Sequence, residues 1–351
     1  MQSQTEIQDP PPQGPPPPSG SRPHWRALVA VLVLVLVVLA GTRVPIPIFF
    51  ALEPGPARDV EVLVEVSGER TFSSDGKLFL TTVRVDTQVT AADWVRAAVD
   101  PAKRIVSREE ITGGVPLEQQ EEEQLRAMES SKEQAQVVAL GALGFPGPTG
   151  DGAEIIRVDE GAPAGSVLLE DDVIVEVNGE QVETICDASQ EIGGVEPGDQ
   201  VELVVLRDGA RESFTMNTEQ NPEDPSKAYV GVVMSNKGFD YDPGVDVKFD
   251  TDNIGGPSAG LMFTLALYDQ LTPDDLTGGR EIAGTGTIGC GGEVGAIGGI
   301  EQKVAGAEAE GAEVFLAPSG NFDQAQAAAD DISVIEVGNF DDALHYLEER
   351  G

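Results

Sequence analysis

Every residue from Ala27 to Ala40 is apolar, whereas the preceding stretch, PPPQGPPPPSG, has no apolar periodicity. Residues 1–24 therefore cannot bury enough surface to fold and read as an extended, proline-rich tail. A helix over the apolar run alone, rising about 1.5 Å per residue, falls short of a roughly 30 Å hydrocarbon core. Extending it through Val44 toward IPIFFAL, with Arg43 snorkelling, gives one transmembrane helix over residues 25–50. A cleaved signal peptide is the rival, because Val38-Leu39-Ala40 resembles a small-residue cleavage site. Both readings place the chain beyond the apolar run outside the cytoplasm, since Arg22 and Arg26 precede the run.

Beyond the run the pattern changes period. VEVLVEV from Val60 alternates apolar with acidic residues, and KLFLTTVRVD repeats the alternation after an SSDG turn, which reads as a hairpin. LEQQEEEQLRAMESSKEQAQVVALGAL then turns to helical spacing. AEIIRV, DDVIVEVNGE and QVELVVLRDGARESFTM read as short strands, with Asp208-Gly209 as a tight turn and DASQEI as a short helix. The linker EQNPEDPSK comes next, then the strands YVGVVM and GVDVKFD, and alternating strands and helices to the C-terminus. The fold class is α+β, with a β-rich unit at 140–220 inserted between mixed segments at 58–139 and 228–351.

Lys and Arg number 22 against 61 Asp and Glu, a formal charge of −39, so phosphate backbones are repelled and nucleic acid is excluded as a partner. No D-x-[DN]-x-[DN]-G calcium loop occurs, and Cys186 and Cys290 fall in different predicted units, so neither a metal cluster nor a disulfide framework can be argued. No metal or other cofactor is expected.

Candidate chemistry begins at Gly256-Pro257-Ser258-Ala259-Gly260, a G-x-S-x-G pattern. Pro257 suits a first helical position, which puts Ser258 in the first turn of the apolar helix LMFTLALYDQL. Unpaired N–H groups at such a terminus can hold an oxyanion; the bland alternative is that both glycines allow close packing and the serine only caps. A histidine base is poorly supplied. His24 lies beside the anchor, and His345 sits in the charged terminal helix DDALHYLEER. Lys303 is better placed, because Ile300, Lys303, Val304 and Ala307 recur at i, i+3, i+4 and i+7 while Glu301 and Gln302 point elsewhere. At a pKa near 10.4 only about one lysine in a few thousand is neutral at pH 7, so a drop of about 3 pH units, roughly 4 kcal/mol, is needed for a working base.

Gly255 to Pro318 resembles the proteolytic domain of the Lon family of serine peptidases, through GGPSAG, Gly284-Thr285-Gly286, AIGGIEQKVAGA and EGAEVFLAP. The resemblance implies a Ser258–Lys303 dyad supported by Thr285, Gly256, Pro257 and Ala259. MESSKEQAQVVAL and KLFLTTVRV resemble earlier parts of the same domain. The inserted unit resembles a PDZ domain in EGAPAG and LLEDDVIVEVNGE, with Leu143, Gly144 and Phe145 as its carboxylate-binding loop. PGPTGDG departs from that family by putting two prolines where an edge strand is expected. No G-x-x-x-x-G-K-[ST] loop is present, unlike the ATP-dependent Lon enzymes. The whole resembles the membrane-bound, PDZ-containing Lon-like proteins of bacteria. It implies an ATP-independent serine endopeptidase held by one membrane span, its N-terminus cytoplasmic and its domains outside. Its partners would be protein or peptide substrates, and copies of the chain could assemble, as Lon relatives do. The alternatives are a membrane-tethered PDZ adaptor with a silent Lon-like scaffold, and an α/β-hydrolase using His345.

Overall fold

The computed structural model describes residues 44–222, 225–251 and 254–349, together with Trp25, Leu28, Val29, Val31 and Leu32. Among these no helix is long and apolar enough to cross a membrane, and the span expected at 25–50 falls mostly outside them.

The chain first lays down β1 (Phe49–Asp59), β2 (Val64–Ser67), β3 (Lys77–Asp86), α1 (Ala91–Ala97), β4 (Arg104–Ser107), α2 (Arg108–Thr112) and the long α3 (Leu117–Ala142). An inserted unit comes next: β5 (Gly152–Val158), β6 (Val173–Val177), β7 (Glu180–Gln181), α4 (Ile185–Gly193), β8 (Gln200–Arg207), β9 (Ala210–Asn217), β10 (Glu219–Gln220), β11 (Ala228–Tyr229) and β12 (Val232–Lys237). The remainder comprises β13 (Asp246–Phe249), α5 (Gly260–Leu271), β14 (Glu281–Gly284), β15 (Thr287–Ile288), β16 (Val294–Gly295), α6 (Ile300–Glu310), β17 (Val314–Pro318), α7 (Phe322–Ala328), β18 (Ser333–Val337) and α8 (Phe340–Glu348).

One six-stranded sheet, in the order β18-β17-β14-β3-β1-β4, joins the segments on either side of the insert. The join is the parallel pairing of β14 with β3, where Ala283 faces Phe79 and Gly284 faces Leu80. Strand alternation then sorts the side chains into two cores. Leu78, Leu80, Val314 and Leu316 meet α3, α5 and α8 on one face. Phe79, Ala283, Phe315 and Ala317 meet α6 and α7 on the other. Helix α5 is apolar on nearly every side because it lies inside the first core, with Phe263, Leu265 and Leu267 fully buried.

The hairpin expected between VEVLVEV and KLFLTTVRVD does not form. β2 pairs with β13 instead, and the antiparallel partner of β3 is β1. β1 contains Pro54, Gly55 and Pro56, which disguise it as a loop; the pairing accommodates them with a register shift between Pro54 and Ala57. Phe50 and Leu52, read as continuing the apolar span, are buried in this sheet.

In the inserted unit β12-β5-β6-β8-β9 form a second sheet around Ile155, Ile174, Leu203 and Val205. Its edge strand β12 comes from the stretch assigned by sequence to the last segment, and it pairs Val232 with Val158. Arg207 holds buried Asp172 at both carboxylate oxygens, Nε–Oδ1 at 2.8 Å and Nη2–Oδ2 at 2.6 Å.

The unit is fastened to the rest by a bond that sequence reading did not supply. Cys186 on α4 forms a disulfide with Cys290 in the turn between β15 and β16. Lys227 Nζ meets Glu293 Oε1 at 2.6 Å beside it. The cross-link closes a loop of 104 residues. Restricting the unfolded chain over such a length is worth about 4.7 kcal/mol by loop-closure entropy, of which disulfides typically deliver about 2–4 kcal/mol. The Cys186→Ser, Cys290→Ser variant should therefore lose about that much unfolding free energy in urea titration.

Candidate active site

Ser258 sits in the turn that delivers the chain from β13 into α5, and the helix begins only at Gly260. Pro257 thus precedes the helix instead of opening it, and Ala259 is the N-cap residue, buried in the first core. The Ser258 side chain caps nothing, and it remains partly accessible. Gly256 adopts φ +91, a left-handed conformation that disfavours any side chain, and its N–H donates to the Gln124 carbonyl at 2.8 Å. Gly260 answers to packing: a Cβ there would lie 2.8 Å from the Ile288 backbone nitrogen and 2.9 Å from Ser131 Oγ. Ser131 Oγ in turn donates to the Pro257 carbonyl at 3.0 Å. Helix α3 therefore holds the serine turn at two points, Gln124 and Ser131, neither of which a sequence motif marked.

Lys303 projects from the first turn of α6, only 3% exposed, and Ile300, Val304 and Ala307 of the predicted stripe are buried with it. Gln302, expected to point away, is also buried and donates from Nε2 to the Ala102 carbonyl at 3.2 Å. Lys303 Nζ lies 2.8 Å from Ser258 Oγ, 3.0 Å from Thr285 Oγ1 and 2.9 Å from the Thr81 carbonyl oxygen. Thr285 follows β14 directly, and its hydroxyl donates to the Ser258 carbonyl at 2.9 Å. Thr81 lies one residue past the point where β3 pairs with the end of β14.

These partners fix the direction of each proton when the amine is neutral. Thr285 spends its hydrogen on Ser258 O, so toward Lys303 it can only accept; the Thr81 carbonyl can only accept as well. The two amine N–H bonds are thereby assigned to Thr285 and Thr81, and the nitrogen lone pair is left facing Ser258 Oγ. Burial supplies the neutral form: removal from water pushes the Lys303 pKa down from 10.5 to about 7. Among the described residues the N–H groups of Ser258 and Ala259 meet no acceptor. They stand at the positive end of α5, beside the serine oxygen.

The remaining sequence-selected residues lie elsewhere. His345 on α8 is exposed, its Nε2 3.4 Å from Glu349. His24 lies outside the described residues. Leu143, Gly144 and Phe145, expected as a carboxylate-binding loop, lie where α3 ends. They close α3: the N–H of Gly144 donates to Gly141 and that of Phe145 to Leu140, with Gly144 at φ +83. Phe145 packs against the first core.

Residues 250–347 match the family model of the Lon protease (S16) C-terminal proteolytic domain, and residues 117–218 match that of the PDZ domain. The chain joins a PDZ domain to a Lon-type proteolytic domain. The Lon-type match contains Ser258, Thr285 and Lys303 and supports a peptidase. The PDZ match begins at Leu117, so it takes in α3, whose Met128, Ala135 and Leu140 pack in the Lon-type core. Solved structures similar to the chain include the PDZ domains of SdrC-like proteins from Listeria monocytogenes and Listeria innocua. The first is 21% identical over 24% of this chain and 90% of that one, with a TM-score of 0.23. The second is 20% identical over 24% and 93%, with a TM-score of 0.23. A Geobacillus thermodenitrificans structure is 22% identical over 24% and 95%, with a TM-score of 0.22. Scores this low carry no argument, and the PDZ domain rests on the family match.

Proposed function

We propose that this protein is an ATP-independent serine endopeptidase in which Lys303 activates Ser258, acting outside the cytoplasmic membrane on unfolded or exposed protein chains. The observation that carries the reading is the contact of 2.8 Å between Ser258 Oγ and a lysine nitrogen whose other two partners are acceptors.

Neutral Lys303 takes the Ser258 proton as Oγ attacks the peptide carbonyl carbon. The carbonyl oxygen becomes an oxyanion held by N–H groups at the start of α5. Collapse of that intermediate breaks the C–N bond, and Lys303 passes its proton to the leaving amine. Water, losing a proton to Lys303, then attacks the acyl-serine ester, and Ser258 recovers its hydrogen as the acid product leaves. Thr285 and the Thr81 carbonyl keep the lysine aimed throughout.

Two features support the extracytoplasmic site of action: the apolar run from Ala27 to Ala40, and the Cys186–Cys290 disulfide, a bond that persists in oxidising compartments. The PDZ domain would recruit substrate or gate the site.

The test is the pH profile of casein cleavage by the full-length protein without nucleotide. The base must be unprotonated, so kcat/KM should rise with pH along a limb centred near the Lys303 value of about 7 and level off above it. A profile with no rising limb between pH 6 and 8, or cleavage only with ATP, would sink the proposal.

A further inference from the structure

Helix α1 and the two residues after it carry Ala91, Trp94, Val95, Ala98 and Val99 at i, i+3, i+4, i+7 and i+8, the spacing of a face made to be covered. Here Trp94 is exposed by 45%, Val95 by 68% and Val99 by 81%. The segment leading into β1 extends the same surface. Val44 and Ile48 are more than 60% exposed, the Ile46 N–H donates to the Val89 carbonyl at 2.7 Å, and the Phe49 ring meets Trp94 edge-on at 5.2 Å.

The neighbouring sequence says what covers this patch. The apolar run ends at Ala40, and the four steps from there to Val44 span at most about 14 Å. Wherever the run lies, the patch lies close to it. Charge agrees: from Arg84 to Glu110 there are five cations and five acids, a neutral stretch in a chain of −39, and Arg43 immediately precedes Val44. An anionic surface repelled by most of this protein is not repelled here. An aromatic ring beside aliphatic side chains on a short amphipathic helix is also the composition of a bilayer interface.

We propose that the exposed face of α1, with Val44 and Ile48, rests on the lipid surface and sets how the Lon-type domain stands on the membrane; this rests on the reading of the apolar run Ala27–Ala40 as an anchor that ends before Val44. The contact would reach the candidate active site by a short route. The loop after α1 presents the Ala102 carbonyl that accepts from Gln302, the neighbour of Lys303 on α6. A helix lying on lipid would thus hold the lysine helix at a fixed height above the bilayer.

The experiment uses the full chain carrying Trp25→Phe, which leaves Trp94 as its one tryptophan, mixed with phosphatidylcholine–phosphatidylglycerol vesicles whose acyl chains are brominated. Flotation reports attachment, and Trp94 emission reports the patch. The expected result is flotation with emission about twofold lower than on unbrominated vesicles, as for a ring at the headgroup boundary. With Val95→Asp and Val99→Asp added, the chain should still float and the quenching should disappear. Flotation with unquenched Trp94 would overturn the lipid contact while leaving the anchor intact, and failure to float would overturn both. Trp94 shielded from aqueous acrylamide yet untouched by brominated lipid would mean that protein, such as a second copy of the chain, covers the face, and would overturn the proposal as well.

Discussion

Ser258→Ala and Lys303→Met should each lower kcat/KM for peptide hydrolysis by about 10⁴-fold or more, and the double variant should fall no further than the worse single one. The two groups perform one step, removal of the serine proton during attack, so the step is lost when either is lost. Ser258→Ala removes the nucleophilic oxygen that Lys303 Nζ faces. Lys303→Met leaves a hydroxyl whose neighbours offer no other base: Thr285 donates to the Ser258 carbonyl, and Thr81 contributes a carbonyl. His345→Ala should change nothing, because that ring is exposed on α8 and paired with Glu349. Cleavage of a fluorogenic unfolded protein by the four variants checks this. Retention of activity in Lys303→Met together with loss in His345→Ala would restore the hydrolase alternative.

The same substitution should make the fold more stable at neutral pH. In the unfolded chain a lysine takes up its proton as the pH falls through about 10.4, whereas in the fold Lys303 waits until about 7. Between those values the unfolded state binds more protons, so the parent loses stability as the pH falls across that window and the loss is complete below about 7. A displacement of this size amounts to roughly 4–5 kcal/mol. Lys303→Met removes the titrating group and keeps most of the side-chain volume. Part of the gain is offset, because the Thr81 and Thr285 oxygens lose a donor, at about 1–3 kcal/mol. The pH dependence is the cleaner readout. From pH 9.5 down to pH 7 the difference in unfolding free energy between variant and parent should widen by about 3 kcal/mol in favour of the variant. Parallel curves in urea titrations across that range would mean that Lys303 is charged in the fold and cannot be a resting base.

How much of this was legible in the sequence depended on range. Lys303 could be placed because helical spacing put it among Ile300, Val304 and Ala307, and the long helix ending near Leu143 was readable for the same reason. The partners that aim the lysine were less accessible. The Thr81 carbonyl reaches it only through the parallel pairing of β3 with β14, which crosses the inserted domain and leaves no local trace. Gln124 and Ser131 support the serine turn through tertiary packing of α3 on α5, and nothing in a polar helical stretch singles them out. β1 was missed because its prolines mimic a loop, and its true pairing displaced the expected hairpin. Leu143, Gly144 and Phe145 also close α3, a role that a glycine after an apolar residue suits and that the resemblance to a peptide-binding loop did not bring out. The disulfide joins cysteines 104 residues apart, and only the docking of α4 against the β15–β16 turn brings them together.

The decisive experiment is covalent labelling with a fluorophosphonate probe, read by peptide mass spectrometry on the full-length protein without ATP. A Ser258–Lys303 dyad predicts a single adduct on Ser258, formed faster as the pH rises through about 7 and absent in Lys303→Met at neutral pH. No adduct on Ser258, or one that forms equally well without the lysine, would contradict it.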